Sequence, residues 1–184
     1  LIQSTVERRR LADEVAYRRA IGATDAVIVG EHPTMRMLRD QVARIAASKA
    51  RTVLLLGGSG TGKGVIARSL HYTSERRSGP FVEVNCASLP EQLLEAELFG
   101  AETGAYTGAH QRRAGLVALA HRGTLFLDEV GELAPTLQAK LLSFLESHSY
   151  RPLGSAREAS ADVRVVAATN RDLSRDVADS RFRA

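Results

Sequence analysis

Residues 52–64 read TVLLLGGSGTGKG. A continuous apolar run of this length is what a strand covered on both faces looks like. The glycine-rich run follows it directly, and VIARSL after it returns to helical spacing. A phosphate-binding loop belongs at such a junction, because a helix N-terminus presents unpaired N–H groups and a positive dipole. Gly57, Gly60 and Gly62 let backbone amides curl around phosphates, with Gly58, Ser59, Thr61 and Gly64 completing the loop. Lys63 supplies a point charge for the β- and γ-phosphates. The G-x₄-G-K spacing is met, with Gly64 where Ser or Thr usually follows. A mere glycine-rich turn is the competing reading, and the flanking strand and helix weigh against it.

The stretch TLFLDEV (124–130) supplies a second half. Four residues carry a strand through the core, and two carboxylates stand at its C-terminal end, where open α/β sheets bind ligands. Asp128 is placed to hold Mg²⁺ through water, and Glu129 to orient and deprotonate an attacking water. Such a run alone often marks only a strand meeting a solvated loop. Paired with the phosphate loop it points to an ATPase.

Further apolar runs lie at 81–84 and 163–168, and helical patterns at 63–71, 90–98 and 133–147 separate the runs. Met35, Leu38, Val42 and Ile45 step by three and four, with Pro33 near the start of that helix. Strands alternating with helices predict a mostly parallel sheet in an α/β domain. At 184 residues the chain suits one domain plus an appendage. Residues 1–21, polar and arginine-rich, read as a helical linker, and 22–184 as the α/β unit.

Composition excludes little else. No apolar run approaches membrane-spanning length, and LIQSTVERRR lacks the apolar core of a signal peptide. A single cysteine, Cys86, rules out an internal disulfide framework and fits a reducing compartment, so the expected location is cytoplasmic. Cys86 follows a strand and reads as a small buried apolar residue rather than a nucleophile. The net charge of +4 permits a nucleic-acid partner without arguing for one. His32, His71, His110, His121 and His148 show no metal-ligand spacing.

ETGAYTGAHQ (102–111) has almost nothing to bury. Glycines on both sides give a hinge around one aromatic, Tyr106, and one hydroxyl, Thr107. Alone it reads as an exposed, mobile surface turn. Its position between the two halves of a nucleotide site favours a functional reading.

In order, GGSGTGKG, VNCASL, ELFGAETGAYTGA, GTLFLDEVGEL and RVVAATNRDL resemble the AAA+ domain of bacterial enhancer-binding proteins, the activators of sigma-54 RNA polymerase. The resemblance covers about residues 28–184. Its most specific element is Gly104, Ala105, Tyr106, Thr107, Gly108 and Ala109, which matches that family's GAFTGA loop with Tyr for Phe. It implies a P-loop fold, ATP with Mg²⁺, and a loop inserted in a helix. That loop moves with nucleotide state and touches the sigma-54 RNA polymerase holoenzyme and promoter DNA.

Other roles follow position by position from the same resemblance. Asn85 matches a switch that holds the catalytic glutamate. Thr169 and Asn170 match the sensor of the γ-phosphate. Arg183 matches the first of two arginines that reach a neighbouring subunit's ATP, and Val29 and Gly30 match contacts to adenine. Homo-oligomers from dimer to hexameric ring are implied. So are an upstream regulatory domain, and a helical lid and DNA-binding helix-turn-helix beyond Ala184. A membrane is not.

The chain also departs from the pattern. Gly58 and Gly64 stand where the family usually has Glu, and Val117 and Ala118 replace a Phe and a Glu. Gly64 weakens the first helical turn by about 1 kcal/mol relative to Ala. Two alternatives therefore stand beside the activator reading: a remodeller of another client, and an ATP-binding module with weak or lost hydrolysis.

Overall fold

The apolar runs pair side by side in one parallel sheet. In the computed structural model, which describes residues 26–106 and 111–183, they form β1 (Thr52–Leu56), β2 (Phe81–Asn85), β5 (Thr124–Asp128) and β8 (Arg164–Thr169). Their order is β1-β8-β5-β2, all parallel. The expected linker over 1–21 lies outside the described residues, as do Thr107, Gly108 and Ala109.

Side-chain alternation splits the core into two layers. Phe126, Val166 and Ala168 face α1 (Pro33–Ala47) and α2 (Lys63–Tyr72), packing with Val42, Ala67 and Leu70. Leu125, Leu127 and Val165 face the other way, against α3 (Glu91–Phe99) and α5 (Pro135–Ser147). Leu137, Leu141 and Phe144 are the buried members of the α5 stripe, and the helix starts at Pro135 because proline suits a first turn. The buried His71 ring of α2 meets Thr124 Oγ1 at 2.9 Å, joining helix to sheet.

One expectation needs correcting. β1 is not covered on both faces: Val53 and Leu55 pack against the α1–α2 side, while Leu54 and Leu56 remain 47% and 67% exposed. β1 is an edge strand of this sheet. The apolar run reports what the strand is able to bury, not what covers it here.

The loop region differs as well. Rather than a loop set inside one helix, a short antiparallel ladder of β3 (Gly100–Ala101) and β4 (Arg113–Ala114) separates α3 from α4 (Leu116–Leu119). Gly100 and Gly115 make the crossing possible. A Cβ on Gly115 would stand 2.3 Å from the Gly100 nitrogen, and Gly100 itself has φ +83°.

Candidate nucleotide site and its loop

Parallel register brings the candidate residues to one edge of the sheet. Leu56 pairs with Thr169 and Asn85 with Asp128, so the phosphate loop, Asn85, Asp128 and Thr169 all leave C-terminal strand ends. The Gly57 amide donates to the Thr169 carbonyl at 3.3 Å, and the Cys86 amide to the Asp128 carbonyl at 2.9 Å. These bonds carry the strand pairing into the loops beyond it.

The phosphate loop turns through Gly60 and Gly62 at φ 76° and 88°, conformations that favour glycine. Gly62 caps α2 without a side-chain bond, so the first-turn amides are left to an incoming group. Thr61 Oγ1 donates to the Gly58 carbonyl at 2.8 Å and holds the loop's curve. Lys63 is buried at 8% exposure, and its Nζ donates to the Gly57 and Gly58 carbonyls at 3.0 Å each. Ser59 is exposed beside them.

The two unusual glycines leave this geometry intact. A Cβ on Gly58 would meet only Thr61 Cγ2 at 3.7 Å, and one on Gly64 only Arg68 and Phe126 at 3.6 and 3.9 Å. Both are ordinary contact distances. Gly64→Ala is therefore expected to stabilise the domain by about 0.4–1 kcal/mol, through helix propensity and a less floppy unfolded chain. Urea unfolding of the two proteins side by side measures it. A loss of stability would mean that Gly64 has a constraint not visible in its packing.

Glu129 holds a backbone conformation that its sequence does not announce. Its φ is 53° in the left-handed region, just ahead of the 3-10 turn Val130–Glu132, and its amide donates to Asp128 Oδ1 at 3.0 Å. A non-glycine residue held there is strained, and such strain clusters at functional sites. Both carboxylates are half-buried. Close by, burial pushes the Cys86 thiol up to about 12, and the charges of Asp128 and Glu129 add to the shift. The thiol is 3% exposed and inert, as expected of a packing residue.

The remaining candidates divide. Thr169 is fully buried, and its hydroxyl accepts the Arg171 amide at 3.1 Å, whereas Asn170 is exposed at the same edge. Gly131 packs here, where a Cβ would come within 2.8 Å of Thr169 Oγ1. Asn85 is exposed, with Oδ1 accepting the Ala87 amide at 2.8 Å. Val29 and Gly30 lie exposed before α1, where the Gly30 carbonyl accepts from Arg39 at 2.6 Å. Gly30 is thereby tied to α1, with Met35 beside it. Arg183 is exposed and anchored through its amide on Gln138 Oε1 at 2.9 Å. Among the described residues no cluster of three His, Cys, Asp or Glu is able to hold a metal.

Around the loop, sequence reading missed a partner. Gly104 is exposed, but Ala105 and Tyr106 are half-buried rather than fully open. Ala105 lies beside the connection between β6 (Ser149–Tyr150) and β7 (Ala159–Ser160), an antiparallel pair. Leu153 accepts the Glu102 amide and donates to the Gly100 carbonyl, both at 2.9 Å, and Gly154 packs against Ala105. Ion pairs Arg112–Glu102 at 3.3 Å and Arg113–Glu97 at 2.8 Å brace the stems. The one sequence signal for this was the glycine at 154, with φ +73°.

Comparison with known proteins decides the family. The description "Sigma-54 interaction domain" matches residues 28–184. The chain belongs to the family of sigma-54-dependent enhancer-binding proteins. This family member is 53% identical over 157 residues to the Nif-specific regulatory protein of Herbaspirillum seropedicae, covering 85% of this chain and 29% of that protein. It is 50% identical over 156 residues to the regulatory protein AtoC of Escherichia coli, covering 85% and 34% respectively. The chain thus spans about a third of the length of these relatives. NtrX from Brucella abortus, solved in complex with ATP, superposes with a TM-score of 0.81 at 31% identity, covering 97% of this chain and 38% of that one. The sheet, its flanking helices and the glycine-rich loop thus have the fold of a P-loop NTPase domain.

Proposed function

We propose that this domain hydrolyses ATP within a homo-oligomeric ring and uses the 104–109 loop to remodel the sigma-54 RNA polymerase closed complex. One observation carries the reading. The phosphate loop, Asp128 and Glu129 converge on one sheet edge, and the GAYTGA loop leaves the same domain on a braced two-stranded stem.

In this reading the free first-turn amides of α2 and the Lys63 ammonium bind the β- and γ-phosphates. Lys63 exchanges its two carbonyl partners for phosphate oxygens. Glu129 takes the proton of the attacking water, and Asn85 holds that carboxylate back until the partner engages. Asp128 would hold Mg²⁺, for which a single carboxylate suffices, and the ion would supply charge neutralisation at the phosphates. Asn170, exposed where Thr169 is not, is the better candidate to sense the γ-phosphate. Val29 and Gly30 would flank adenine, and Arg183 would stabilise charge on a neighbouring subunit's phosphoryl group. Tyr106 and Thr107 make the sigma-54 contact, and the cytoplasm is the setting.

An arginine supplied in trans makes hydrolysis depend on assembly. In the full-length protein, ATP turnover per subunit is expected to rise with protein concentration and then level off. Steady-state phosphate release over a dilution series measures it. A per-subunit rate independent of concentration down to the monomer would remove the ring from the proposal.

A further inference from the structure

The segment that carries Arg183 is held at more points than a departing chain requires. α6 (Leu173–Ala178) ends, and Ser180 turns the chain back at φ 57°. The Asp176 carbonyl then accepts the Arg181 and Phe182 amides at 2.7 and 3.1 Å. The Asp176 carboxylate lies between Arg171 at 2.7 Å and Arg181 at 3.0 Å. The Arg171 hydrogen bond holds the Asp176 carboxyl below its ordinary value.

The second anchor is Gln138, 5% exposed on α5. Its Oε1 accepts the Arg183 amide at 2.9 Å, and its Nε2 donates to the Arg181 carbonyl at 3.2 Å and the Leu133 carbonyl at 2.8 Å. Leu133 closes the 3-10 turn that begins after Glu129. A buried amide among leucines costs stability unless its polar atoms are bonded, and here both ends are. Those bonds run to the segment behind Asp128 and Glu129 on one side and to Arg183 on the other.

We propose that Gln138 is a positioning residue for Arg183, joining the arginine that a subunit lends to its neighbour to the carboxylate end of its own β5. The inference rests on the reading that Arg183 acts in trans. The Arg183 guanidinium makes no hydrogen bond to another described residue, so its reach is set where its backbone is pinned. A misplacement of about 1 Å in catalytic geometry costs about 10²-fold in rate.

Three variants of the full-length protein test it: Gln138→Met, which keeps volume and helix propensity, Gln138→Glu, which keeps an acceptor for the Arg183 amide, and Arg183→Ala. Each is assayed for ATP affinity, for turnover alone, and for turnover after mixing with Glu129→Gln subunits, which retain Arg183. Gln138→Met is expected to bind ATP within about twofold of the parent yet turn over at least roughly tenfold slower. Mixing should restore turnover as it does for Arg183→Ala, because an intact site then meets an intact arginine. Gln138→Glu should fall between, and it serves alone if the Met variant does not fold. Parent-like turnover in both Gln138 variants overturns the inference. So does failure of mixing to rescue them where it rescues Arg183→Ala. Failure to rescue Arg183→Ala itself would remove the trans reading instead, and the inference with it.

Discussion

Glu129→Gln in the full-length protein is expected to lower ATP turnover by roughly 10²-fold or more while ATP binding persists. The substitution keeps the side chain's size and its hydrogen-bonding capacity but removes the base. Glu129 follows the end of β5 in a left-handed conformation, and its amide is fixed by Asp128 Oδ1 at 3.0 Å. That backbone bond does not involve the Glu129 carboxylate, so the variant should fold as the parent does. Phosphate release at saturating ATP, beside a nucleotide titration, separates the two effects. Turnover near the parent rate would mean that some other group activates water.

Lys63→Ala should lower ATP affinity by about 10–100-fold. Hydrogen bonds to charged groups contribute about 1.5–3 kcal/mol, and every 1.4 kcal/mol is tenfold in Kd. Stability should change far less. The carbonyls that lose their partner belong to Gly57, half-buried, and Gly58, exposed, so water is able to replace the ammonium. Calorimetric titration of parent and variant reads the affinity, and thermal unfolding reads the fold. Unchanged affinity would remove Lys63 from the phosphate site.

Much of this was legible in the sequence because short-range rules apply to it. TVLLL and TLFL declare strands by their unbroken apolar runs, and G-x₄-G-K places a loop between strand and helix. Both strands ended where the reading put them or one residue beyond. What escaped depends on neighbours remote in sequence. The exposure of Leu54 and Leu56 follows from the strand order, which no local pattern encodes. Leu153 and Gly154 brace the loop from a hairpin some fifty residues on, with no motif to mark them. Gln138 sits inside a leucine stripe that reads as packing alone. The left-handed Glu129 shows only in the folded chain, since glutamate has no preference for that region.

The proposal that this domain acts on sigma-54 through its loop is tested most directly by capture of purified sigma-54. Full-length parent, Tyr106→Ala and Thr107→Ala are each compared with ADP alone and with a transition-state nucleotide analogue. Tyr106 is half-buried and belongs to none of the nucleotide-site motifs, so ATP turnover should be largely retained. Stability should fall only slightly, about 0.5 kcal/mol for a surface change. An aromatic at the centre of a contact carries about 2 kcal/mol or more, roughly 30-fold in affinity. The expected result is capture by the parent only with the analogue, and its loss in both variants. Equal capture by parent and variants would contradict the role given to the loop, and the sigma-54 assignment would fall with it.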